Sequence, residues 1–416
     1  MPTEPLPVYA VVPFAAMLLA IAVCPLWIPH WWESNRNKLV LACALGLPVV
    51  GLYATRHPHA LLEKAEEYVS FMLLLTALYV IAGGIRLTGD LRATPLVNTT
   101  FLATGSVLAS FLGTTGASML LIRPVLQTNR QRTHVTHTVV FFIFLVANVG
   151  GLLTPLGDPP LFLGYLEGVP FTWTFRLLPH WLFAVAVLLL AYFVWDSVAY
   201  GREPAQAVVR DIAQRQPLRI DGTLNFAWLA GVLLGVAFLH APWREALILA
   251  LTGLSLWQTP RAVRRANEFT PHPMVEVAVL FFGIFVTMIP ALELLRTRGG
   301  ELGVREPWQF FWATGVLSSF LDNAPTYLTF LALGQGLHLA DEVVRVPHAI
   351  LAAISVGAVF MGANTYIGNA PNFMVKAIAE ATRVRMPSFF GYMIYSAGIL
   401  LPVFAAVTWL FFGAAP

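Results

Sequence analysis

Apolar positions in this chain fall in long unbroken runs, without the two-residue alternation of a half-buried strand or the narrow stripe of a water-soluble helix. Runs long enough to cross a bilayer lie near residues 8–28, 38–55, 68–86, 135–153, 176–198, 225–240, 244–258, 273–296, 347–366 and 388–413. Two more apolar stretches, 97–127 and 308–339, are interrupted at mid-length by Gly113-Thr114-Thr115-Gly116 and Asp322-Asn323-Ala324-Pro325. A stretch of about 30 residues with such a centre predicts a re-entrant hairpin with a sheltered tip, the alternative being one kinked span. The hydrophilic segment 199–224, with Arg202, Arg210, Arg215 and Arg219 among Glu203, Asp211 and Asp221, reads as a linker near the middle of the chain.

The two halves repeat each other. Ala103-Thr104-Gly105 returns as Ala313-Thr314-Gly315, and Ser110-Phe111-Leu112 as Ser319-Phe320-Leu321, each triplet just before a hairpin break. Gly157-Asp158-Pro159-Pro160, followed by Phe162, returns as Gly368-Asn369-Ala370-Pro371, followed by Phe373. The register predicts a first repeat over 1–198 (hairpin 97–127, broken span 135–175) and a second over 225–416 (hairpin 308–339, broken span 347–382). The fold class expected is an all-α polytopic membrane protein, with about five spans and one hairpin per repeat.

Composition agrees with a lipid solvent: 57% of residues are hydrophobic and 11% charged, less than half the charge of a typical soluble domain at about 25%. The first run, about Val8 to Ile28, follows a single charge, Glu4, and lacks a basic flank, so it reads as a retained span rather than a signal peptide. Cys24 and Cys43 lie in apolar runs without metal or disulfide spacing. The positive-inside rule places Arg130, Arg132, Arg261, Arg264, Arg265, Arg383 and Arg385 on the cytoplasmic side, and Arg56, Lys64, Arg296 and Arg298 opposite. Both termini are then extracytoplasmic in an inner (plasma) membrane. The first hairpin enters from the cytoplasm and the second from outside, the inverted order of alternating-access carriers.

Chemistry is expected where the spans break. The interruptions Thr154–Pro160 and Asn364–Pro371 combine proline, which removes donors, with glycine, which permits unwinding. Freed carbonyls suit a cation and half-helix N-termini suit an anion. A carboxylate at membrane depth costs about 2.5–3.5 kcal/mol, so Asp158 and Asp322 are candidate proton- or sodium-binding groups, with helix capping as the competing role. Asn323, Asn364, Thr365, Asn369, Asn372, Thr114, Thr115, Ser118 and Thr154 lie at the same depths and are candidate ion or substrate contacts; Asp158, Asp322 and Asn364 are the candidate sodium ligands. Lys376 is a candidate substrate or proton contact, although its spacing to Glu380 also fits an i,i+4 pair. Arg123 reads as a snorkelling residue or an anion contact, and His134 with His137 lacks a third metal ligand.

At these residues the sequence resembles the ion transporter superfamily of sodium/proton antiporters, arsenite permeases and citrate or dicarboxylate carriers. The resemblance rests on Asn148-Val149-Gly150-Gly151 through Gly157-Asp158-Pro159-Pro160, on Leu321-Asp322-Asn323-Ala324-Pro325, and on Gly362-Ala363-Asn364-Thr365 with Gly368-Asn369-Ala370-Pro371-Asn372. It implies a homodimer with a scaffold domain and a mobile transport domain that moves in an elevator-like cycle. The chain departs from the dicarboxylate branch by lacking Ser-Asn-Thr triplets, and from the permease branch by Leu161 after Asp-Pro-Pro. No nucleophile–base set, phosphate loop or cofactor motif appears, so enzyme activity, cofactors and nucleic-acid partners are not expected; sodium is the candidate coupling or transported ion. The leading expectation is Na+/H+ antiport, the alternatives being Na+- or H+-coupled citrate or dicarboxylate transport and oxyanion permeation.

Overall fold

The computed structural model describes residues 7–206, 211 and 217–413. It is built of helices, apart from one short two-stranded ribbon that pairs β1 (Arg86–Thr88) with β2 (Arg219–Asp221) antiparallel. Among the described residues, seven helical segments are long and apolar enough to cross a membrane, and shorter apolar helices lie between them. The chain is a multi-pass membrane protein.

The first half runs through α1 (Val12–Trp27), a short α2 (Pro29–Trp32), α3 (Asn35–Arg56) and α4 (Pro58–Ala82). The hairpin arms α5 (Pro95–Leu112) and α6 (Thr114–Thr128) follow, then α7 (Thr136–Leu145), α8 (Pro159–Leu166) and α9 (Leu178–Tyr200). The second half repeats the order with α10 (Leu224–Phe238), α11 (Trp243–Gln258), a short α12 (Arg261–Ala266) and α13 (His272–Arg298). Its hairpin arms are α14 (Pro307–Ser318) and α15 (Asn323–Gln335), followed by α16 (His348–Met361), α17 (Ala370–Ala381) and α18 (Phe389–Val407).

Both interrupted stretches are hairpins. Asn98 at the start of α5 and Asn129 just after α6 exchange reciprocal amide bonds of 2.9 Å, so the two arms end together. The second pair closes similarly: Gln335, last in α15, accepts from Arg296 Nε at 2.8 Å, beside the segment that leads into α14.

The inversion is visible in α4 and α13, which precede the two hairpins. Tyr68 donates to the Ala278 carbonyl and Tyr79, further along α4, to that of Thr270, so the helices run antiparallel. The chain therefore leaves them at opposite ends and enters the hairpins from opposite sides. At the end where α13 finishes, Glu167 joins Lys64 of α4 and Arg296 of α13, each at 2.8 Å.

The helices differ from expectation in two places. Helix α4 begins ten residues before the apolar run near 68, and in the polar turns there Lys64 pairs with Glu67 at 2.6 Å while Glu63 and Glu66 are exposed. The first broken span unwinds earlier than Thr154, because α7 already ends at Leu145. There Asn148 turns its amide back onto the Ile143 carbonyl at 2.8 Å. Gly150 also lies so close to the Ser106 backbone that a Cβ would approach it to 2.7 Å. The two repeats interlock: α6 packs on α17, and α15 packs on α8.

Candidate functional site

Each break is stapled to its own hairpin by a threonine. Thr154 Oγ1 donates to the Ser110 carbonyl, and its counterpart Thr365 Oγ1 donates to the Ser319 carbonyl. Ser110 Oγ donates to the Gly150 carbonyl at 2.5 Å, and Asn364 Nδ2 to Ser319 Oγ at 2.9 Å. These bonds fasten unwound backbone that has lost its helical partners. At the first tip the turn is one residue, Gly113 at φ 78°, a left-handed value that glycine adopts without strain. Thr114 N then donates to the Gly157 carbonyl at 2.8 Å, joining tip to break.

The four breaks meet at Asp158, which is 1% exposed. Its Oδ1 accepts from Thr114 Oγ1 at 2.9 Å and from Asn369 Nδ2 at 3.2 Å, and its Oδ2 accepts from Asn323 Nδ2 at 2.8 Å. Thr114 and Asn323 are the first residues of α6 and α15, while Asp158 and Asn369 precede the first residues of α8 and α17. Four helix N-termini thus converge on one carboxylate, each equivalent to about half a positive charge. An ionised carboxylate offers about four acceptor positions; three are used by these donors, and the position left on Oδ2 can take a proton or a cation.

An amide chain surrounds this centre. Asn369 Nδ2 also lies 3.1 Å from the Ala147 carbonyl and 3.3 Å from Asn148 Oδ1. Asn148 Nδ2 donates to Asn372 Oδ1 at 2.7 Å, and Asn372 Nδ2 donates to the carbonyls of Gly362 and Thr365, both at 2.9 Å. Asn323 is oriented by Ser318 Oγ, 2.7 Å from its Oδ1. Asn148 and Ser318 were not among the candidates read from the sequence; a lone amide in an apolar run was the signal for Asn148, while Ser318 gave none.

The other candidates lie apart. Asp322 is half-buried and caps α15 through Ala324 N at 3.2 Å. Thr115 falls inside α6, outside the hydrogen-bonded cluster, because the break is one residue long. Ser118 Oγ and Asn364 Oδ1 are buried without a hydrogen-bond partner among the described residues. Lys376 pairs with Glu380 at 2.9 Å and lies over the rings of Tyr366 and Phe373. His137 Nε2 lies 2.8 Å from Asp196, and His134 Nδ1 3.3 Å from Glu203. Among the described residues no group of three metal-ligating side chains occurs.

A cavity of about 1280 Å³ opens at the end of the molecule where α4 finishes. Its wall combines the far part of α6 from Met119, residues 129–136, β1, the end of α17 and residues 266–268. Arg86, Arg123, Arg130, Arg132, Arg383 and Arg385 line it against one carboxylate, Glu268. Arg123 pairs with Glu268 at 2.9 Å, and Arg132 pairs with Asp196 at 2.7 Å. Helices α6 and α17 lead from this cavity towards Asp158; Met119 and Thr114 are five residues apart, about 7–8 Å along a helix.

The sequence matches a family model described as "Putative citrate transport" over residues 3–412. No curated protein matches the chain. A match of that extent takes in both hairpins, both breaks and the Asp158 centre, and the chain belongs to this citrate-transport family, within the ion transporter superfamily.

Proposed function

We propose that the protein is a secondary active carrier of citrate or a related small carboxylate, coupled to protons or sodium and working by alternating access. The observation that carries this reading is the convergence of four helix N-termini on one enclosed centre. Such ends favour anions. A bare cation would meet four positive dipole ends with one carboxylate to offset them. The arginine-rich cavity adds the same preference at the cytoplasmic end assigned by charge. Asp158 supplies the coupling group: with a proton or sodium on its free acceptor position it neutralises part of the field, and without one it repels a second anion.

Asp322, Asn364 and Ser118 are assigned a supporting role in ion binding around the second tip and α6. The hairpins and broken spans form the moving unit against a scaffold that includes α3, α4, α11 and α13, as in an elevator cycle between paired protomers.

The test uses purified protein in liposomes loaded with a pH-reporting dye. Labelled citrate should accumulate when an inward sodium or proton gradient is imposed, and fail to accumulate without one. A sodium pulse that moves protons while citrate stays outside under both gradients would return the assignment to Na+/H+ antiport, which the single acid Asp158 would also serve.

A further inference from the structure

Six arginines line the cavity with one glutamate, Glu268, among them, and Arg132 is further paired with Asp196 and Glu203 behind the wall. The cavity volume of about 1280 Å³ exceeds the 300–1,000 Å³ usual for a small-ligand pocket, which leaves room for a hydrated anion beside α6 and α17. Arg123 and Arg132 are held by carboxylates. Arg86, Arg383 and Arg385 enter no ion pair among the described residues, and Arg383 and Arg385 are exposed.

Arg383 also occupies an unusual backbone position. It follows α17 at φ 67°, the left-handed seat that ends many helices and is usually held by glycine. Its N–H donates to the Glu380 carbonyl at 2.9 Å, and Val384 N to that of Ala379 at 3.0 Å, so the backbone alone closes the helix. The guanidinium adds nothing to that closure. A long cationic side chain kept in a disfavoured conformation at the rim of a cavity points to a ligand.

We propose that this cavity is a second anion site, separate from the Asp158 centre, which takes a di- or tricarboxylate on Arg86, Arg383 and Arg385. Guanidinium groups suit that ligand because each can engage a carboxylate through two parallel bonds. Walls of low dielectric with charge of one sign raise the local concentration of the opposite ion. The carboxylate class rests on the proposed function; the anion preference does not.

The first measurement places a reporter at Gln127 on the cavity wall, as Gln127→Cys with Cys24→Ala and Cys43→Ala. A negatively charged methanethiosulfonate should react about tenfold faster than a positively charged one, as expected in a focused positive field. Millimolar citrate should slow the anionic reagent. Arg383→Gly with Arg385→Gln should reduce the reagent preference and abolish the citrate protection. Equal rates for the two reagents, or citrate protection that survives both substitutions, would overturn the proposal.

The second measurement is citrate uptake by Arg383→Gly, a change that relieves the backbone and keeps the fold. KM on the cavity side should rise about tenfold, the loss of one charge-assisted contact, with kcat retained, and Arg383→Lys should recover part of the loss. An unchanged KM would refute the site. Wild-type protein that moves no citrate but shows the reagent preference would sink the proposed function and leave the anion site standing.

Discussion

Asp158→Asn is the sharpest test of the centre, because the substitution keeps shape and removes charge. An asparagine must place one NH2 where an acceptor stood. At the Oδ2 position it would face Asn323 Nδ2, whose amide is held in orientation by Ser318. At the Oδ1 position it would face Thr114, whose hydroxyl can turn to accept, and Asn369 Nδ2, which keeps the Ala147 and Asn148 oxygens as partners. The second orientation costs less, leaving one hydrogen bond unmade, about 1–3 kcal/mol. The protein should therefore fold, with a lowered thermal midpoint in detergent. Transport should fall by roughly a hundredfold or more, since the lost contacts to a charged group are worth at least about 2.7 kcal/mol. The assay is gradient-driven citrate uptake per mole of monodisperse protein. Uptake within about twofold of wild type, equivalent to roughly 0.4 kcal/mol, would remove Asp158 from the mechanism. Disappearance of folded protein would show instead that its charge holds the fold.

Three other substitutions and one change of condition extend the reasoning. Asp322→Asn preserves a helix cap, since both residues cap well, so stability should stay within about 0.5 kcal/mol and uptake should fall by less than about tenfold; a loss larger than that of Asp158→Asn would move the coupling ion to the second tip. Gly157→Ala brings a Cβ to 2.1 Å from the Gly151 carbonyl and displaces the Gly157 oxygen that Thr114 N uses. It should cost about 1–3 kcal/mol and uncouple transport, whereas Gly253→Ala in α11 meets nothing within 4 Å and should stabilise by about 0.5–1 kcal/mol; equal midpoints for the two variants in thermal unfolding would contradict the packing. Glu203 lies below the usual carboxylate range: burial alone would raise it, but the Thr133 and His134 amides and Arg132 outweigh that. A depressed value in the folded state contributes stability above the unfolded pKa of about 4.3 and loses it as pH falls further. Amide exchange at Thr133 and His134 should therefore accelerate only below the ordinary carboxylate range, and protection that persists there would show that Glu203 does not hold the loop.

Much of the architecture was legible because membranes make polar residues conspicuous. Gly113 and Asp322-Asn323 announce the hairpin tips, and the 157–160 and 368–371 motifs announce the breaks, because glycine, proline or a carboxylate stands there near the middle of a long apolar stretch. The limits of the breaks were less legible. The helix ends at Leu145 because Asn148 reaches back to Ile143 and Gly150 packs on α5, both tertiary facts without a local signature. Asp158 and Asp322 look equivalent in sequence, each beside a proline-containing helix start. Only packing separates them, since Asp322 spends its carboxylate on its own helix while Asp158 reaches three other segments. The exchange of arms between halves was equally hidden, because register reveals similarity and says nothing about which copy touches which.

The bonding of Asp158 has a consequence for timing. One oxygen is tethered to Thr114, on the hairpin that enters from one side; the other is tethered to Asn323, on the hairpin that enters from the opposite side. In the proposed alternating-access cycle, withdrawing the second tip would free Oδ2, whereas withdrawing the first would leave Oδ1 held by Asn369 alone. The two faces of the membrane would then address the same carboxylate through different atoms. In that cycle loading and unloading would be separate events, and a continuous path would need both tethers to break at once.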